Sequence, residues 1–159
     1  MKSISLEVLR WVCAAAAVVF IAMSFSQDTV SNASPESVET AVTATLDMQT
    51  MQKADNQMVK RLYGFNPADF ESCVLYYPTS NMGAEELLII RLSDASQQQT
   101  VTDAVNARLE TQKASFDGYG VEQYDMLTNQ SVLEVRGNYI LFVVNPAAND
   151  ALNAFLKAL

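Results

Sequence analysis

Two residues, Gly137-Asn138, separate the apolar run Ser131–Arg136 (SVLEVR) from a second, Tyr139–Val144 (YILFVV). A two-residue turn of this composition joins neighbouring antiparallel strands, because its positive φ follows their right-handed twist. It also sets the register, with Arg136 opposite Tyr139 and Val135 opposite Ile140. Since side chains alternate across a strand, Leu133, Val135, Ile140, Phe142 and Val144 line one face. Glu134, Arg136, Tyr139, Leu141 and Val143 line the other. The first face is expected to take the helices of residues 94–116 and 147–159. The second is either covered by the helices of residues 35–63 or open to a protein partner or a second copy of the chain. Val38, Val42, Leu46, Met58 and Leu62 need somewhere to pack, which favours coverage. If the face is open, Tyr139 and Leu141 are its candidate contact residues.

The rest of the chain repeats this economy of signals. Phe70–Tyr77 and Glu86–Leu92 read as a second hairpin with a longer loop, PTSNMGA. Between the hairpins, Asp94–Phe116 has helical spacing, with Val101, Ala104, Val105 and Leu109 on one face. It ends in Asp117-Gly118-Tyr119-Gly120, where glycine suits a left-handed cap, and Val121–Leu127 adds one more helical turn. Upstream, Ser34-Pro35-Glu36 is a helix start, with a hydroxyl cap, a proline at the first position and an acid against the dipole. Two short helices, or one broken one, follow as far as Gly64. A last helix spans Ala147–Leu159. The order α-ββ-α-ββ-α favours an α+β fold, an antiparallel sheet of about four strands packed with helices, over a parallel sheet. Residues 35–159 form a single domain on this reading.

The N-terminus is of another kind. Lys2 and Arg10 precede the run Trp11–Met23 (WVCAAAAVVFIAM), which presents no polar face. Residues 1–26 read either as a cleaved signal peptide, with small residues before Gln27, or as an uncleaved signal-anchor that reaches the roughly 20 residues a span needs by drawing in its flanks. The cations before the run and the absence of Lys or Arg until Lys53 send the rest of the chain outward. Residues 27–34 (QDTVSNAS) read as a polar tether of about 25 Å when fully extended. The domain is thus expected outside the cytoplasm, held at the cell membrane by its N-terminal segment or secreted after cleavage.

Composition narrows the chemistry. With no histidine and two cysteines, the chain lacks the parts of a Ser-His-Asp triad, a Cys-His pair or a Cys/His zinc site. No metal or cofactor is expected. The net charge of −8 excludes the basic footprint of a nucleic-acid binder. Glu85-Glu86 opens a strand, so its carboxylates point to opposite faces, and it reads as a solvated acidic face. Cys73 reads as a small buried hydrophobe. Tyr119 and Tyr124, with Tyr76 and Tyr77, either make an aromatic recognition patch or pack at the helix–sheet boundary. No catalytic residue emerges.

From Leu62 onward the segments LYGFNPADFESCVLYY, GAEELLIIRL, FDGYGVEQYDML and RGNYILFVV, in this order, resemble the bacterial domain of unknown function family 4358, found in exported proteins of Clostridia-type bacteria. The resemblance implies export and brings no activity with it. The expectation is therefore a non-enzymatic binding or interaction module outside the cytoplasm, with a protein partner or self-association. The alternatives are an extracytoplasmic enzyme using carboxylates or a hydroxyl on envelope material, or an accessory subunit of a membrane complex.

Overall fold

The structure is a computed structural model, and it describes residues 30–159. The apolar run of residues 11–23 lies outside the described residues. Among those described, no helix is long and apolar enough to cross a membrane.

Helix α1 (Pro35–Thr43) starts as its sequence requires: the Ser34 hydroxyl accepts from the Ser37 N–H at 3.2 Å, with Pro35 in the first turn. A 3-10 turn (Met48–Thr50) leads into strand β1 (Met51–Lys53), and helix α2 (Asn56–Tyr63) follows, capped by Asp55 and closed by Gly64. Strands β2 (Ser72–Pro78) and β3 (Glu86–Arg91) form the first hairpin. Helices α3 (Gln97–Phe116) and α4 (Val121–Asn129) then cross to the second, β4 (Ser131–Arg136) and β5 (Tyr139–Val144), before helix α5 (Ala148–Ala158).

The sheet is α+β in class and antiparallel throughout, in the order β1-β2-β3-β5-β4. The second hairpin has the expected register, Arg136 opposite Tyr139 and Val135 opposite Ile140. Gly137 supplies φ +58 while Asn138 keeps a negative φ, the glycine-first pattern of a type II′ turn. Returning to β3, the chain inserts β5 beside it and leaves β4 on the edge.

Two expectations are corrected here. The sheet has five strands, because the region read as helix or broken helix contains the edge strand β1, paired to Tyr76–Pro78. The helices are also distributed differently. Leu88, Ile90, Ile140, Phe142 and Val144 pack under α2, α3 and α4. Leu87, Ile89, Tyr139, Leu141 and Val143 pack under α1 and α5, against Val38, Val42, Ala148, Ala151 and Phe155. The second face is thus covered, but α5 covers it and α2 sits on the first face. The reason is area: α1 buries only Val38 and Val42, too little to roof five large apolar residues. Strands β3 and β5, central and covered on both sides, are apolar at nearly every position.

The segment read as a tether is partly docked. The Asn138 side chain holds the backbone of Ser31 from both sides, accepting from its N–H at 2.9 Å and donating to its carbonyl at 3.3 Å. The Tyr139 hydroxyl donates to the Ala33 carbonyl at 2.7 Å. Residues 31–33 thus form a strap at the end of the sheet that carries Ser72, Arg91 and Tyr139.

Candidate functional site

Strand β3 alternates, so Glu86, Leu88 and Ile90 face the first core while Leu87 and Ile89 face the second. Glu86 is therefore fully buried. This corrects the expectation of a solvated acidic face at Glu85-Glu86; Glu85 stays half-buried and accepts from the Ala84 N–H at 3.0 Å. Helix α3 meets Glu86 with Arg108 and Gln112, one turn apart on the face that carries Val101 and Val105. Arg108 donates through Nε to Oε1 at 3.2 Å and through Nη2 to Oε2 at 2.7 Å. Gln112 Nε2 donates to Oε2 at 3.0 Å, and the Tyr63 hydroxyl of α2 donates to Oε1. Four donors fill the acceptor sites of one carboxylate.

The electrostatics are consistent with this division of roles. Burial and the neighbouring charge of Glu86 hold the Tyr63 phenol well above its ordinary value, so it remains a neutral donor. Burial works against the charge on Arg108, and the Glu86 carboxylate outweighs it, leaving the guanidinium's pKa raised.

A cleft of about 240 Å³ opens beside this cluster. Met58 and Arg61 of α2 form one wall, and Tyr77, Ser80 and Asn81 from the end of β2 and its loop form another. Arg108, Gln112 and Ser115 of α3 line the inner side, and Tyr119 stands at the lip. The turn after α3 positions that tyrosine. Gly118 takes φ +83, and a Cβ on Gly120 would lie 2.5 Å from a Phe116 ring carbon, so glycine lets Phe116 fold inward. Tyr119 is turned outward, 64% exposed, with its ring 6.0 Å from that of Phe116.

The residues singled out in the sequence separate into distinct places. Tyr77 and Tyr119 meet at the cleft. Tyr124 is exposed on α4 and does not line it. Tyr76, pointing the other way from Tyr77, donates to Glu39 Oε1 at 2.7 Å, and Lys53 Nζ reaches the same oxygen at 2.6 Å. Tyr139 and Leu141 are fully buried under α1 and α5. Cys73 packs against the first core, and burial pushes its thiol up to about 12. Among the described residues no group of three or more acidic or cysteine side chains is placed to hold a metal ion.

Sequence reasoning missed Glu86, Arg108, Gln112 and Tyr63 as a group. A period-two count from Ile90 and Leu88 back to Glu86 points that glutamate inward. The four-residue step from Arg108 to Gln112, in phase with Val101 and Val105, gives it partners.

The family model described as Domain of unknown function (DUF4358) matches residues 44–145, and the chain belongs to that family. The matched stretch holds the whole sheet, the Glu86 cluster and the cleft, while the strap, α1 and α5 lie outside it. No curated protein and no solved structure matches the chain.

Proposed function

We propose that this member of the family is a non-enzymatic binding module presented outside the cytoplasm, tethered by its N-terminal apolar segment or released by its cleavage, with the cleft beside Glu86 as its binding site. The observation that carries this reading is the placement of the cleft relative to the strap. Residues 31–33 dock at the sheet end marked by Arg91 and Asn138, whereas Tyr77, Ser80 and Asn81 line the cleft at the other end. Strands of six residues separate the two ends by roughly 20 Å. A chain held through its N-terminus then turns the cleft away from the anchor, toward whatever approaches. The state of Glu86 supports binding over proton chemistry: its oxygens are committed to four donors that hold three elements together.

The test of presentation is a reporter fused after Leu159 of the full chain. Activity confined to the outer side of the membrane is expected; activity in the cytoplasm overturns the reading. Mass spectrometry distinguishes its two forms, since a new N-terminus at Gln27 means cleavage.

A further inference from the structure

The two edges of the sheet are built differently. Edge strand β1 has three residues and ends on Lys53, features that discourage pairing with another chain. Edge strand β4 has six residues, in unbroken register with β5, and carries no proline, lysine or bulge. In a two-residue hairpin the pair beside the turn is hydrogen-bonded, so Arg136, Glu134 and Val132 spend their main-chain groups on β5. Those of Leu133 and Val135 point off the sheet, and no turn, loop or cap among the described residues takes them up. All six β4 residues stay half-buried, whereas their β5 partners are buried. Glu134 and Arg136, on either side of Val135, form an ion pair at 2.9 Å with side chains 28% and 36% exposed. Leu156 of α5, 38% exposed, lines one hollow with Arg136, so apolar surface flanks this edge.

We propose that β4 is a self-association edge, where a second copy of the chain adds antiparallel to it about a two-fold axis at Val135. The axis is chosen by charge. With Val135 opposite Val135, each Glu134 faces Arg136 of the second copy, and opposite charges directly across a ladder stabilise it. Moving the axis to Glu134 sets two carboxylates against each other, and moving it to Leu133 sets Glu134 against Val132. Such an interface is isologous and closes at two copies; a peptide of arbitrary sequence meets no such match. The same axis suits chains held in one membrane. Asn138, which grips the strap, lies within about 10 Å of Val135 along the strand, so both straps fall near the middle of the pair. Pairing here neither uses nor needs the cleft. Strand β2, which lines it, is three strand spacings from β4, roughly 14 Å, so both clefts stay open at the outer ends.

The experiment measures the mass of the full chain by sedimentation velocity in density-matched nonionic detergent. The parent should be a dimer. Glu134→Arg and Arg136→Glu each turn the facing pairs into four like charges, and each should weaken the dimer at least about tenfold. Both also lose the internal Glu134–Arg136 pair, so two further samples isolate the contact between copies. An equal mixture of the two variants restores opposite charges at every facing position, and so does the double exchange, Glu134→Arg with Arg136→Glu in one chain. Both should return to the parent's dimer. A monomeric parent overturns the inference. A dimer indifferent to the single changes also overturns it and moves association to the N-terminal segment or another face. If the mixture or the double exchange stays monomeric, the inference falls as well, because the reversals then act on the chain itself and not across an interface.

Discussion

Arg108 grips both oxygens of Glu86, at 3.2 and 2.7 Å, and so ties helix α3 to the first residue of strand β3 at the cleft side of the first core. Tyr63 brings α2 to the same carboxylate. Taking two charges out of water is costly, and their attraction returns little net stability. What the cluster does supply is position, because Arg108 and Gln112, which both line the cleft, are held by a buried group that cannot move.

Removing the carboxylate should therefore be severe. Glu86→Ala strands a mostly buried guanidinium, a buried phenol and a buried amide, and is expected to cost about 3–5 kcal/mol. Urea unfolding of variant and parent measures it. Replacing the four residues together, by Glu86→Leu, Arg108→Met, Tyr63→Phe and Gln112→Leu, should recover most of that loss while abolishing the cleft's polarity. A quadruple variant as unstable as Glu86→Ala would show that the network stabilises the fold in itself.

Legibility in the sequence followed the strength of local rules. The second hairpin was readable to the residue because Gly137 dictates both reversal and register. Helix α3 begins at Gln97, three residues after the expected start at Asp94, because the bonds from Gln97 N–H to the Asp94 carbonyl and from Gln98 N–H to the Ala95 carbonyl are three-residue turn bonds rather than helical ones. Strand β1 was not readable: three residues, two of them polar, become a strand only by pairing with Tyr76–Pro78. Within the site, Tyr119 announced itself through the glycines beside it. Glu86 was masked by Glu85, since two adjacent acids look like surface until strand alternation separates them. Its partners come from helices distant in sequence, and no local pattern brings them together.

The covered face makes a sharp contrast available. Leu141 is fully buried between Tyr139, Val143 and the helices α1 and α5. Leu141→Lys puts an unpaired ammonium there and should destabilise the domain by several kcal/mol, on the order of 3–5. Tyr119→Lys, at a residue 64% exposed, should stay within about 0.5 kcal/mol of the parent. Thermal melts of the two variants decide. An unchanged melting temperature for Leu141→Lys would mean that α1 and α5 leave the sheet readily.

Cys73 should be chemically quiet. The thiolate is the reactive species, and burial pushes this thiol up to about 12, so at neutral pH almost none is ionised. In a Cys13→Ser background, a disulfide reagent should label Cys73 slowly in the native protein and quickly in denaturant. Labelling as fast as free cysteine in native conditions would contradict the packing of β2 against the first core.

The pair at the other end of β1 governs a pH dependence whose sign is fixed. Burial raises the Glu39 carboxyl, but hydrogen bonds from Lys53 and Tyr76 outweigh it and hold the group below its ordinary 4.5. A depressed carboxylate contributes stability that is whole above about pH 4.5 and is lost as pH falls through the lower folded value. Lys53 is raised above 10.5, chiefly by its hydrogen bond to Glu39, so its share is whole below 10.5 and fades as pH rises through the folded value. Between those limits the contribution should be flat. With the Lys53 side chain 55% exposed, the ion pair is worth about 1 kcal/mol or less. The stability difference between the parent and Glu39→Gln, measured by urea titration, should hold constant from pH 6 to 9 and shrink in acid, below the carboxylate's ordinary range. A difference that grows on acidification would require Glu39 to be raised rather than lowered, with burial stronger than its two donors.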